Sequence, residues 1–159
     1  MQPPYDDVPG VIKTTVGYMG GTIPAPTYEQ ICTGTTGHSE VVQIQYDSAK
    51  ITYDRLLTIY WKNIDPTNDN GQFADTGPHY KPIIFFHDDT QKKSAESSKK
   101  KLADSHKFKR PIVVKIKPAT TFYPAESYHQ CYYQKQPAHY QRYKKGSGRA
   151  DFIEKNGVE

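Results

Sequence analysis

Bulky and apolar residues recur at every second position in two stretches that lie close together in the chain. In the first, Ile12, Thr14, Val16 and Tyr18 fall on one face of a strand over Val11–Tyr18. In the second, Val42, Ile44 and Tyr46 share a face with Glu40, so a carboxylate points where the apolar side chains point. After Ile51 the period becomes helical: Tyr53, Leu56, Leu57, Tyr60 and Ile64 are spaced for one stripe of an amphipathic helix, which Asp65-Pro66 ends. Pro82 to Phe86 is an apolar run of strand length. A lysine-rich outer helix is predicted over about Asp89 to Ser105, with only Ala95, Leu102 and Ala103 as apolar contacts. Ile112, Val114 and Ile116 alternate as a further half-buried strand.

The intervening segments carry turn chemistry. MQPPYDDVPGV reads as a short helix or turn leading into the first strand, and the Gly-, Pro- and Thr-rich stretch between the first two strands reads as a long loop. DPTNDNGQFADTG is a polar loop that fails as a calcium site, because Asn70 stands where the turn glycine is needed and Thr76 where the bidentate Glu is needed. TFYPAESYHQCYYQK reads as a loop entering a short helix. Pro137 to Glu159 reads as a basic, then polar, tail hinged at Gly146, Ser147 and Gly148. Strands mixed with helices in this order predict an α+β fold, a two-layer sandwich with a mixed sheet, as one domain over 1–148 with a C-terminal tail over 149–159.

Composition adjusts this picture in three ways. Hydrophobic content is only 35%, but 13 Tyr, 6 Phe and 1 Trp supply large amphipathic side chains, so 159 residues suffice for one core. The net charge of +4 concentrates between Gln91 and Lys117, where ten Lys or Arg face only Glu96 and Asp104. No nucleic-acid motif accompanies this run, which reads as a solvated helix face, with engagement of an acidic partner as the alternative. Two cysteines, Cys32 and Cys131, make neither a disulfide framework nor a zinc cluster and point to a reducing compartment. No apolar run is long enough to span a membrane.

A carboxylate on a core-facing row is costly unless it is bonded, and such groups gather where chemistry is done. Glu40 is therefore the first candidate. Around it stand Gly17-Tyr-Met-Gly-Gly21, then TYEQICTGTTGHSEVV, Asp65-Pro-Thr67, Tyr80-Lys-Pro82 and Ala125-Glu-Ser-Tyr-His-Gln130. Together and in this order they resemble the A-type peptide methionine sulfoxide reductases, which reduce the S epimer of methionine sulfoxide, over roughly Met1 to Gly148.

The resemblance implies a ferredoxin-like mixed-sheet core and assigns roles. Glu40 corresponds to the acid that protonates the sulfoxide oxygen, Tyr18 and Tyr80 to hydroxyls that bond that oxygen, and Asp75 to an auxiliary of thiol activation and recycling. PAESYHQ, Pro124 to Gln130, reads as site scaffolding. Glu126 and His129 stand three residues apart, but two ligands make no adequate metal site. His38 is expected to be structural. The family's nucleophile lies in a Gly-Cys-Phe-Trp motif at the end of a first strand, expected before Met1 and not contained in these 159 residues. Cys32 is expected to be a poorly placed substitute, since an error of about 1 Å can cost roughly a hundredfold in rate. The expectation is a cytoplasmic enzyme with no bound cofactor and no metal, acting on oxidised methionine in proteins and recycled by a thioredoxin-like reductant or dithiothreitol. No nucleic-acid or membrane partner is expected. With the first strand and the nucleophile missing, the chain itself is expected to be inactive or severely impaired, and destabilised or prone to associate through a sheet edge. The alternative is a non-catalytic binding module using the residual pocket or the basic 91–117 surface.

Overall fold

The computed structural model describes Met1 to Gly157. Its helices are α1 (Pro3–Asp6), α2 (Tyr28–Cys32), α3 (Tyr53–Asn63), α4 (Asp89–Asp104), α5 (Tyr132–Lys135), α6 (Pro137–Gly146) and α7 (Arg149–Asn156). Its strands are β1 (Val11–Met19), β2 (Ser39–Tyr46), β3 (Gly71–Gln72), β4 (Asp75–Thr76), β5 (Ile83–Phe86), β6 (Lys115–Pro118) and β7 (Tyr123–Pro124). The fold is α+β, with both antiparallel and parallel pairings, and the strands are shared among three small sheets. These are an antiparallel β2-β1-β7 sheet, a β3-β4 hairpin and a parallel β5-β6 pair.

α3 organises the core because its two apolar flanks face different partners. Leu57, Trp61 and Ile64 pack with Ile84 of β5, Ala95 of α4 and Val114. Leu56 and Ile59 pack with Tyr5 of α1 and Ile51, against the β1-β2 residues Val11, Val42, Ile44 and Tyr46. Each fully buried side chain of this kind contributes roughly 1.5–3 kcal/mol. The helix is started by the Thr52 side chain, which accepts the Arg55 N–H at 3.2 Å, and it ends where Ile64 turns extended ahead of Asp65-Pro66.

Four expectations change. Ile12 was expected on the inward face of β1, yet it is 63% exposed, because the β1-β2 register shifts between Val11 and Lys13. Beyond the shift the two-residue period holds, with Thr14, Val16 and Tyr18 opposite Ile44, Val42 and Glu40. The Ile112–Lys117 strand begins only at Lys115, since the Val113 N–H is taken by Pro66 O at 2.8 Å. The loop after β1 contains α2, and the C-terminal segment expected as a hinged tail forms α6 and α7. Phe152 of α7 lies 5.4 Å from the Phe73 ring and 6.2 Å from Phe108. Residues 158 and 159 of the expected tail lie outside the described residues.

Candidate active site

The paired ends of β1 and β2 set Tyr18 directly across from Glu40. β7 pairs on the other side of β1, Tyr18 with Tyr123 and Gly17 with Pro124, and so draws the segment carrying Glu126 alongside. Gly17 admits this approach, because a Cβ there would lie 2.4 Å from the Tyr123 carbonyl oxygen. Gln130 fixes the segment by donating to Val16 O at 2.9 Å and accepting the Val16 N–H at 3.0 Å. Tyr18, only 2% exposed, donates its hydroxyl proton to Glu126 Oε2 at 2.9 Å, while Glu126 Oε1 accepts the Tyr28 backbone N–H at 2.9 Å.

Glu40 is half-buried, and its Oε1 is buried with no hydrogen-bond partner among the described residues. Burial pushes its carboxyl up to about 7, and the Asp75 charge adds to the rise. The Tyr80 hydroxyl nearby works in the opposite direction. Tyr80 ends a short 3-10 turn, Pro78–Tyr80, that begins after Gly77 at φ 132, a conformation that favours glycine. His79 in the same turn is buried and its ring lies 4.1 Å from that of Tyr80. Burial, with Glu40 close by, holds the Tyr80 phenol far above its ordinary range, so it stays a donor at all working pH values.

Asp75 is presented by the tight β3-β4 hairpin, which Gln72 braces by accepting the Asp65 N–H at 2.9 Å and donating to Asp65 O at 2.9 Å. Tyr143 of α6 donates its hydroxyl to Asp75 Oδ2. The four expected site residues, Tyr18, Glu40, Asp75 and Tyr80, thus act on one another electrostatically in one cluster.

Three further residues join it: Glu126, which sequence reasoning placed only within the site scaffolding, and Tyr28 and Tyr143, which it left out. Tyr28 of α2 has its ring 4.5 Å from His129, and the Cys32 thiol beside its hydroxyl, together with burial, pushes it up to about 12. Its signal was in the sequence, because Thr27-x-x-Gln30 is a capping box that announces α2. Glu126 was marked only as part of the PAESYHQ scaffolding and Tyr143 gave no signal, since both reach the site from distant parts of the chain. A cavity of about 260 Å³ opens beside the cluster. Glu40 and Tyr80 contribute to its wall, with apolar surface from Met19, Phe85 and Phe122.

The remaining candidates are placed as follows. His38 is 3% exposed and structural: Nδ1 accepts the Gly21 N–H at 3.0 Å and Nε2 contacts Ile23 O at 2.7 Å. Cys32 is exposed at the end of α2. Cys131 sits in a left-handed conformation, its N–H bonded to Gln2 Oε1 at 2.8 Å. Glu126 and His129 lie 3.6 Å apart, and no group of three or more His, Cys, Asp or Glu able to hold a metal occurs among the described residues. No helix among them is long and apolar enough to cross a membrane.

A buried acid flanked by phenols fits chemistry at a departing oxygen, and comparison with known proteins decides the lineage. The family model described as peptide methionine sulfoxide reductase matches residues 1–159. The chain belongs to that family. It is 54% identical over 154 residues to peptide methionine sulfoxide reductase MsrA of Bacillus pumilus, covering 97% of this chain and 86% of that protein. It is 50% identical over 156 residues to the MsrA of Listeria monocytogenes, covering 98% and 88%. Among solved structures, methionine sulfoxide reductase A of Corynebacterium diphtheriae superimposes with a TM-score of 0.72 at 34% identity, over 84% of this chain and 68% of that one. Reduced Mxr1 of Saccharomyces cerevisiae gives 0.75 at 31% identity, over 80% and 73%. The family is one of enzymes that act on oxidised methionine in proteins and bind no cofactor.

Proposed function

We propose that this chain supplies the proton-donating part of a methionine-S-sulfoxide reductase site, with Glu40 as the acid. The observation that carries this reading is the buried, unpartnered Glu40 Oε1 on a carboxyl raised to about 7, with Tyr80 facing it. A thiol attacks the sulfoxide sulfur, the S–O bond breaks, and the oxygen leaves with the proton that Glu40 returns to it. The departed hydroxide then attacks the former thiol sulfur and breaks the S–S bond, so that methionine leaves and that sulfur, now bonded to oxygen, is a sulfenic acid. Two thiols of a thioredoxin-like protein or of dithiothreitol then reduce that acid to thiol and water, becoming a disulfide.

Tyr80, whose hydroxyl acts on Glu40, is the first donor to the oxygen. Tyr18 must first give up Glu126, and we assign it a positioning share as well. Asp75 tunes Glu40 through its charge. Neither cysteine of these 159 residues meets the need for a thiol. Cys32 is an exposed helix-end group with Tyr28 beside it, and the Cys131 sulfur accepts from Gln2 Nε2 at 3.9 Å. We infer that the chain with only these thiols binds methionine sulfoxide and turns it over poorly, and that a Gly-Cys-Phe-Trp segment added ahead of Met1 restores turnover.

The test is consumption of the separated S and R epimers of a chromophore-labelled methionine sulfoxide with dithiothreitol, for the 159-residue chain and for the extended one. Turnover of the S epimer by the extended chain, lost in its Glu40→Gln variant, supports the reading. Equal turnover in that variant removes Glu40 from its role, and loss of the unextended chain's activity in Cys32→Ser would give that thiol the part denied it here.

A further inference from the structure

Met1, which also lines the cavity beside Glu40, forms with α1, α3, α6 and α7 the wall of a second, open cavity of about 430 Å³. Three helices each contribute one stripe to its wall. α3 gives Arg55, Ile59 and Lys62, spaced four and three residues apart; α6 gives Tyr140 and Lys144, and α7 gives Arg149 and Ile153, each pair spaced by four. Cations thus alternate with apolar groups, and Pro3, Pro4 and Val8 extend the apolar part. Among the described residues no Asp or Glu lines the cavity. None of Arg55, Lys62, Lys144 and Arg149 forms a salt bridge among the described residues; Arg149 instead donates to Asn63 O at 3.4 Å and lies over the Phe73 ring at 4.6 Å.

Four like charges around one concavity repel each other, and a multivalent anion there turns that repulsion into attraction. The volume is in the range of small-molecule sites, roughly 300–1,000 Å³, and one wall is apolar. The geometry points to a binding site for a phosphate-bearing small molecule, its phosphate between Arg55, Lys62, Lys144 and Arg149 and its organic part against Ile59, Tyr140 and Ile153. Arginine suits this because its planar guanidinium pairs with phosphate oxygens in a bidentate fork, and lysine adds point charge. Tyr18, Glu40, Asp75 and Tyr80 do not line this cavity, which adjoins theirs at Met1, and the inference does not depend on the reductase reading.

The experiment is an NMR titration of the isotope-labelled 159-residue chain with inorganic pyrophosphate, then with inorganic phosphate and phenyl phosphate, at ionic strength held constant with NaCl. The expected result is saturable shifts centred on Arg55, Lys62, Lys144 and Arg149, with phenyl phosphate binding more tightly than inorganic phosphate. Arg55→Gln and Lys144→Gln should each weaken pyrophosphate binding about tenfold, the loss of one charge-assisted contact. Arg55 is exposed, so its variant keeps the fold even if Lys144→Gln does not, and the amide spectrum verifies this. Shifts no larger than those from NaCl alone, shifts spread over the α4 lysines, unchanged affinity in the Arg55→Gln variant, or binding of poly-glutamate with no response to phosphates would each overturn the proposal.

Discussion

Two places in this molecule gather charge of one sign, and they differ in how that charge can be relieved. Around Glu40 the groups are carboxylic: Asp75 and Glu126 both act on it, and its Oε1 has no hydrogen-bond partner among the described residues. A carboxyl can take up a proton, and Glu40 does so near neutrality. Around the helical cavity the groups are Arg55, Lys62, Lys144 and Arg149, of which the arginines cannot lose their charge at any working pH. There the only relief is a counter-ion. The first arrangement stores a transferable proton, and the second creates demand for an anion.

The largest effect that would break this comparison concerns the proton. In the chain extended with the Gly-Cys-Phe-Trp segment, Glu40→Gln should lower reduction of methionine-S-sulfoxide by at least about a hundredfold, the usual scale of a lost general acid. Steady-state rates for the two proteins measure it. A loss below about threefold would show that the raised carboxyl is only a buried acid.

The same carboxyl should register in stability. Glu40 has a folded pKa of about 7 against an ordinary 4.5, so between these values the folded chain keeps a proton that the unfolded chain has released. Stability from this group is therefore full below pH 4.5 and is lost as pH rises to 7, by about 3 kcal/mol. The buried Met1 amino group has the opposite sign: burial, with Arg149 next, lowers it from 8.0 to about 5, which makes stability rise with pH over that window. The two slopes offset each other in the unaltered chain, so the difference from Glu40→Gln is the informative quantity. Urea unfolding at pH 4.5 and pH 8 should give nearly equal stabilities at the lower pH and a variant more stable by up to about 3 kcal/mol at the higher.

What could be read beforehand around Glu40 follows the reach of each signal. The two-residue alternation set Glu40 and Tyr18 on core-facing rows, and the ladder pairs them directly. The α3 stripe gave the centre of the core. Ile12 was misplaced because a register shift has no mark in the alternation. The Glu126 contact with Tyr18 spans 108 residues and the Tyr143 contact with Asp75 spans 68, distances at which local periodicity carries no information. α6 and α7 were missed because their apolar positions are few and separated by cations. Those same cations build the second site.

α2 offers a smaller test on the acidic side. Its Thr27 side chain accepts the Gln30 N–H at 3.3 Å, and the Gln30 side chain accepts the Thr27 N–H at 2.9 Å. Thr27→Ala should cost about 1 kcal/mol locally and speed amide exchange at Gln30 about fivefold. The Tyr28 N–H, held by Glu126 Oε1, should loosen with it. Hydrogen exchange by NMR reads both amides. Faster exchange at Gln30 with Tyr28 unchanged would separate the helix cap from the Glu126 clamp.

The smallest effect belongs to the cationic cavity. Arg55 stands in the first turn of α3, where the positive end of the helix dipole disfavours a cation, and it lines the cavity with Lys62 of the same helix stripe and with Lys144 and Arg149. Its backbone N–H, which Thr52 caps, is unaffected by a change of side chain. Arg55→Gln should therefore raise the melting temperature by about 1 °C at low salt, from a few tenths of a kcal/mol of relieved repulsion. The gain should vanish in about 0.5 M NaCl, where screening shortens the reach of each charge to a few ångströms. It should reverse when pyrophosphate is added at low salt, because the unaltered chain then has the ligand and the variant holds it less firmly. A variant that melts lower in low salt without pyrophosphate would mean that Arg55 already has a favourable partner, and the cavity would not carry uncompensated charge.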